Sequence, residues 1–264
     1  MYAFIFKILL ILAPSNFKFK TDMKTKSLIL SLVVLAAMLV SQSASAQLRV
    51  GVGYGLSQHR VKAGNVIEKS NGNGFYLTGT YNIDLLSGNW GVFGLEPGLV
   101  YSYYGDGNKE TVTGIDVRTS LREHYLDVPV FAKYGYDFIP GKLGAYAFFG
   151  PQFSFGLASH SRATVKGQFA GVNIDGKVVV HNYSGKVTVK DLDKEIADQI
   201  TKDADSDYSL FDFKLGLGAG LKIIDCIDFR FGYNFGLVNR YTGEGKDSLK
   251  NKMNQFYFGF AYLF

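Results

Sequence analysis

Residues 254–264 read NQFYFGFAYLF, and their alternation decides the fold. Phe256, Phe258, Phe260, Tyr262 and Phe264 occupy every second position, with Tyr257, Gly259, Ala261 and Leu263 between them. A period of two marks an extended strand whose successive side chains point to opposite faces. In a half-buried strand of a soluble sheet the second face carries charges or hydroxyls that meet water. Here it is mostly small. Large apolar residues outside and small ones inside a tight curve are the alternation of a barrel wall set in lipid. A core strand of a soluble sandwich remains the competing reading of this stretch alone, so the rest of the chain decides.

The same alternation recurs upstream. Ile227, Phe229, Phe231, Tyr233, Phe235 and Leu237 share one face, against Asp228, Arg230, Gly232, Asn234 and Gly236. Phe211, Phe213, Leu215, Leu217, Ala219 and Leu221 stand against Asp212, Lys214, Gly216, Gly218, Gly220 and Lys222. Near the start, Leu48, Val50, Val52, Tyr54 and Leu56 stand against Arg49, Gly51, Gly53, Gly55 and Ser57. A soluble sandwich accounts for the apolar face but not for so much glycine on the polar one.

Extended along the chain, the pattern predicts an all-β protein of eight strands near 48–58, 74–84, 90–104, 121–138, 144–159, 209–224, 227–240 and 253–264. Most exceed the roughly 9–11 residues that a tilted strand needs to cross hydrocarbon. Connections near 85–89, 139–143 and 225–226 are short, and those near 59–73, 105–120, 160–208 and 241–252 are long. Short turns at one end and long loops at the other describe an eight-stranded antiparallel transmembrane meander with extracellular loops. Both termini then lie in the periplasm. Within 160–208, QFAGVNI and KVVVHNY flank Asp175-Gly176, a hairpin signal, and KVTVK follows. These lack aromatic rows, so they read as a hairpin above the membrane, with a ten-stranded barrel as the alternative.

Parity places Arg49, Glu96, Asp127, Lys133, Asp212, Lys214, Lys222, Asp228 and Arg230 on the inner face. Four acids against five bases predict a paired network filling the lumen, because eight strands enclose just enough room for side chains and buried charges must be paired or wet. Counted upward from the short turns, Glu96 and Lys133 lie at similar heights, as do Lys222 and Asp228. That last pair requires a three-residue turn or a bulge that includes Cys226.

Residues 23–46, MKTKSLILSLVVLAAMLVSQSASA, have a basic start, an apolar run and a small-residue cleavage site at Ala44-Ser45-Ala46, which is a secretory signal peptide. Met23 reads as the true start, residues 1–46 as the leader and 47–264 as the barrel; one unusually long leader is the alternative. Removing the leader's five basic residues and one acid from 28 and 23 leaves 23 bases and 22 acids. That near-neutral balance removes the charge basis for a nucleic-acid partner. Cys226 is the only cysteine and forms no internal disulfide.

LEPGLVYSYYG (95–105), HYLDVPVFAKYGY (124–136), FFGPQFSFGL (148–157), FDFKLGLGAGLKI (211–223) and FRFGYNFGLVN (229–239) resemble the PorT-like outer-membrane β-barrel proteins of Gram-negative bacteria. The resemblance covers most of the mature chain. It implies a signal peptide, a small barrel and residence in the outer membrane; some relatives serve protein secretion. Phe260, Tyr262 and the final Phe264 resemble the C-terminal signal by which barrel-assembly machinery takes up its clients. Outer-membrane lipid is the other expected partner.

No catalytic, metal or cofactor motif emerges. His59, His124, His160 and His181 read as solvated loop histidines. Ser57 and His59 share a face, as would be needed of nucleophile and base, but Glu123 and His124 lie on a strand that a meander does not pair with theirs. DADSDYS (203–209) has Tyr208 where a calcium loop needs glycine and Lys214 where it needs glutamate. DLDKEIADQITKDA (191–204) sets Leu192, Ile196 and Ile200 on one helical face. The expectation is a non-enzymatic barrel whose loops bind an extracellular ligand or partner. An export-system component and an outer-membrane lipid-modifying enzyme are the alternatives.

Overall fold

The computed structural model describes residues 46–112, 115–169, 172–190, 208–243 and 246–264. The leader up to Ser45, Met23 included, and the helical pattern at 191–204 lie outside them; Ala46, the last leader residue, opens β1. Among the described residues the strands are β1 (Ala46–Ala63), β2 (Val66–Gly88), β3 (Gly91–Val112), β4 (Ile115–Ile139), β5 (Leu143–Phe169), β6 (Val172–His181), β7 (Lys186–Lys190), β8 (Phe211–Ile223), β9 (Ile227–Gly236) and β10 (Leu249–Leu263).

Eight of them close into a ring in the order β1-β2-β3-β4-β5-β8-β9-β10, every pair antiparallel. The seam runs from Arg49↔Leu263 to Ala63↔Leu249. Closure removes the unpaired backbone groups that an open edge would present. β6 and β7 stand outside the ring: the lower part of β5 pairs with β8 as far as Phe155↔Phe211, and its upper part pairs with β6 from His160↔His181 onward.

Two sequence readings change here. The connections at 59–73 and 105–120 are strand for most of their length, since β1 and β2 pair up to Ala63↔Val66, and β3 and β4 up to Val112↔Ile115. In 59–73 apolar residues fall on both faces, Val61 and Val66 inward and Ile67 outward, which hides the period of two. In 115–122 Ile115, Val117 and Leu121 do alternate with Asp116, Arg118, Ser120 and Arg122, over too short a run to stand out from a loop. Asp175-Gly176 is not a turn. It lies inside β6 opposite Lys166 and Val165, and Asp175 forms an ion pair with Lys166 at 3.2 Å. The β6–β7 turn is Asn182–Gly185, closed by the Gly185 amide donating to His181 O at 2.9 Å, with Gly185 at φ +65°.

At the short-turn end, Ile224, Asp225 and Cys226 form a three-residue turn, and Lys222 faces Asp228 across it. Ile224 and Asp225 both have positive φ, an uncommon conformation for a β-branched residue.

The two faces separate by parity. Val52, Leu77, Phe149, Phe231 and Phe260 are among many large apolar side chains exposed on the outside. Trp90 stacks on Tyr134 at 6.2 Å between ring centres at the short-turn end of this belt. Inside, rings from neighbouring strands lie over glycines: a Cβ on Gly53 would stand 2.4 Å from the Tyr76 ring, and one on Gly218 2.3 Å from that of Phe148. Glycine on the polar face therefore seats inward aromatic rings in a narrow ring of strands.

Candidate functional site

Among the described residues the lumen holds five acids (Glu96, Glu123, Asp127, Asp212, Asp228) and five bases (Arg49, Lys133, Lys214, Arg230, Arg240), all fully buried but Lys133. Nearest the short turns, Arg230 donates from both terminal nitrogens to the two Glu96 oxygens, each at 2.6 Å. Its Nε donates to the Tyr146 hydroxyl at 3.1 Å, and its guanidinium lies 4.3 Å from the Phe148 ring centre. Lys133 adds a second cation 3.4 Å from Glu96 and donates to Asn82 at 3.1 Å. Arg49 pairs with Asp228 at 2.8 Å.

In the middle, Asp127 accepts from Ser102 at 3.0 Å and from Ser154, with the Lys214 ammonium 3.7 Å away. Asp212 shares this level, but neither of its oxygens meets a hydrogen-bond donor in good geometry, nor does the Lys214 ammonium find an acceptor. Lys222 leaves the network assigned to it: its ammonium turns to Asp137 at 2.9 Å and Asp225 at 3.1 Å at the short-turn rim.

Nearest the tall end, Glu123 accepts from Arg240 at 2.8 Å and pairs with His59 Nε2 at 3.0 Å. Sequence reasoning placed neither Glu123 nor Arg240 in the lumen, although both have the parity that identified Asp127 and Arg230. His59 is buried rather than solvated, because a lumen this narrow brings strands that do not pair within reach of each other. Arg240 Nη1 lies 3.4 Å from His59 Nδ1. Both ring nitrogens are thus occupied, and Ser57 Oγ has no hydrogen-bond partner among the described residues. The triad geometry of nucleophile, base and orienter is not assembled there.

The other histidines lie on the outer face. His124 Nδ1 is 2.7 Å from the Tyr101 hydroxyl. His160 and His181 meet edge to face, their ring centres 4.4 Å apart; partial burial, then the neighbouring imidazole of His181, holds His160 below its ordinary pKa. Higher up, hydrogen bonds from Lys109 and Thr111 hold Asp116 below the usual carboxylate range.

Above the belt, β5, β6 and β7 form one wall. Asn182 ties the β6–β7 turn to it, donating to Ser159 and Ser161 at 2.8 and 2.9 Å. Val178, Val180, Val187 and Val189 share the inner face of this wall and are half-buried. Phe260, Tyr262 and Phe264 are exposed on the outer wall.

Two voids remain. A central one of about 30 Å³, between Arg49, Tyr76, Asp127 and Arg230, has room for about one water. A larger one of about 420 Å³ opens at the short-turn end, lined by Asp84, Lys133, Asp137, Tyr146, Lys222 and Asp228.

Three solved structures resemble this arrangement. Ail, the attachment invasion locus protein of Yersinia pestis, determined in complex with the heparin analogue sucrose octasulfate, is 16% identical over 83% of this chain and 99% of its own (TM-score 0.36). Neisserial surface protein A is 10% identical over 81% and 96% (TM-score 0.36). The outer membrane protease OmpT from Escherichia coli is 9% identical over 84% and 96% (TM-score 0.32). They carry no function to this chain. No curated protein matches it. The family model for the outer membrane protein beta-barrel domain matches residues 40–241, more than half of the sequence, and the chain belongs to that family.

Proposed function

We propose that this chain is a non-enzymatic integral outer-membrane barrel that presents a recognition surface outside the cell. The observation that carries this reading is the division of its long strands. Near the short turns they enclose a charge-filled lumen behind an apolar outer belt. Beyond the belt β1–β5 continue, joined by β6 and β7, far past the roughly 9–11 residues that crossing requires. A 30 Å³ central void offers no passage, so specificity falls to the tall rim. In this orientation the short turns and both termini are periplasmic, Phe260, Tyr262 and Phe264 carry the assembly signal, and the signal peptide ends at Ala46. The quoted motifs support a narrower reading as a PorT-like barrel.

The test replaces residues 162–206 by a short Gly-Ser turn. Just below the removed segment the two flanking chains lie side by side, the Gly156 amide donating to Leu210 O at 2.7 Å. The shortened protein should still require detergent and run faster unheated than heated on a gel, while its deletion phenotype is not complemented. A specific observation favours a second reading, a component of an export system: the 420 Å³ cavity faces the periplasm in this orientation. Full complementation by the shortened protein selects that reading, and solubility of the intact chain as a compact monomer without detergent would falsify both.

A further inference from the structure

Above the apolar belt, three adjacent strands bring cations together on the outward face. Cross-strand register sets Lys69 and Lys252 on either side of Arg60, and Lys250 beside Lys62. All five share the outward parity of Leu56, where the belt ends on β1. Only the neutral row Asn71–Gln58–Asn254 separates that belt from Arg60, so the strip begins about 13 Å along the strand above Leu56, at roughly 3.4 Å per residue.

Directly facing side chains in an antiparallel pair lie about 4.5–5.5 Å apart, and like charges there destabilise the pair. A sheet ordinarily answers with an acid. The opposite wall does so, pairing Lys109 with Asp116 at 2.8 Å and Lys166 with Asp175 at 3.2 Å. On the β2–β1–β10 wall none of the five cations has an ion pair among the described residues, and Glu68, next to Lys69, has the inward parity. Arg60, Lys62, Lys69 and Lys250 are exposed and Lys252 is partly so. The apolar belt places lipid against this side of the wall, so headgroups meet the five cations.

We propose that this strip binds the phosphate groups of outer-leaflet glycolipid. Arg60 supplies a planar fork that matches phosphate oxygens, and the flanking lysines supply point charges. The proposal rests on the membrane orientation given above.

The test measures retention of bisphosphorylated lipid A, and of its dephosphorylated form, on the full-length barrel in detergent by native mass spectrometry. Wild type should retain the phosphorylated lipid preferentially. Arg60→Gln/Lys69→Gln/Lys252→Gln should weaken retention about tenfold or more at low salt, and the double variant Lys69→Gln/Lys252→Gln should fall between. Lys142→Gln/Lys222→Gln, at the short-turn end, should stay within about twofold of wild type by the same charge reasoning. Equal retention of the two lipids, or of lipid by the triple variant, overturns the proposal. Displacement of the lipid by millimolar inorganic phosphate alone also overturns it, since the site would then be one for soluble anions. Unheated and heated gel mobility is read on each preparation. A wild type without the shift overturns the barrel reading as well, whereas a retained shift without lipid selection overturns only this inference.

Discussion

Glu96 and Asp212 are carboxylates buried in one lumen, a few strands apart, and their surroundings differ in kind. Both oxygens of Glu96 meet the Arg230 fork at 2.6 Å, with Lys133 and two aromatic rings completing the site. Neither oxygen of Asp212 meets a donor in good geometry. Removing charges from water costs several kcal/mol per ion, and only good geometry with further hydrogen bonds recovers it. Near the short turns the lumen meets that condition, and at Asp212 it does not. The lower network therefore ties β3 to β9 across the lumen, whereas Asp212 makes no such tie at the middle level.

The largest effect expected from this difference is at Arg230. Arg230→Met leaves Glu96 with Lys133 alone at 3.4 Å and strips both of its close donors. Breaking a buried pair from one side costs about 3–5 kcal/mol, so the urea midpoint of the barrel refolded in micelles should fall steeply. A midpoint unchanged from wild type would mean that water reaches the lower lumen and the contrast with Asp212 is lost.

The middle level should respond in the opposite direction. A buried carboxylate that meets no donor keeps a desolvation cost of several kcal/mol uncompensated, so removing it should be neutral or stabilising. Asp212→Leu alone should thus hold or raise the urea midpoint, since Lys214 stays 3.7 Å from Asp127, which keeps its bonds from Ser102 and Ser154. A fall of more than about 1 kcal/mol would show that Asp212 is satisfied in a way that its side-chain geometry does not reveal.

Much of this was legible in sequence because the period of two is enforced wherever one face meets lipid. Parity alone put Arg49, Glu96, Asp127, Lys133, Asp212, Lys214, Asp228 and Arg230 inside, and the three-residue turn at Cys226 followed from the equal parity of Lys222 and Asp228. What parity cannot give is the choice of partner across the lumen. Glu96 on β3 meets Arg230 on β9, and His59 on β1 meets Glu123 on β4, contacts set by how the ring closes rather than by neighbouring strands. The tall ends of β1–β4 read as loops because they lack aromatic rows: in Gln58 to Ser70 the apolar Val61, Val66 and Ile67 are split between the faces, and the alternation of Ile115, Val117 and Leu121 is short, so the ladder is fixed mainly by backbone pairing. The inward rings of Tyr146 and Phe148 were missed for a related reason. On β5 the small residues Ala145 and Ala147 face out and the large ones face in, the inverse of the pattern that identified β10.

The smallest of the three effects belongs to Lys133, and it tests whether Glu96 depends on one cation or two. Sequence alone gave Glu96 no partner but Lys133, which would make Lys133→Met as damaging as any broken buried pair. In the structure Glu96 keeps both Arg230 hydrogen bonds without it. The Lys133 side chain is 17% exposed where it borders the cavity at the short-turn end, so water can take part of its place. What the substitution removes is one longer ion contact, one hydrogen bond to Asn82 and the stacking of the ammonium 4.0 Å over Tyr146. Losses of that kind amount to about 1 kcal/mol, well below the cost at Arg230. If Lys133→Met and Arg230→Met lower the urea midpoint equally, Glu96 is held by the two cations as a unit. If Lys133→Met costs the smaller amount, the Arg230 fork is what separates Glu96 from Asp212.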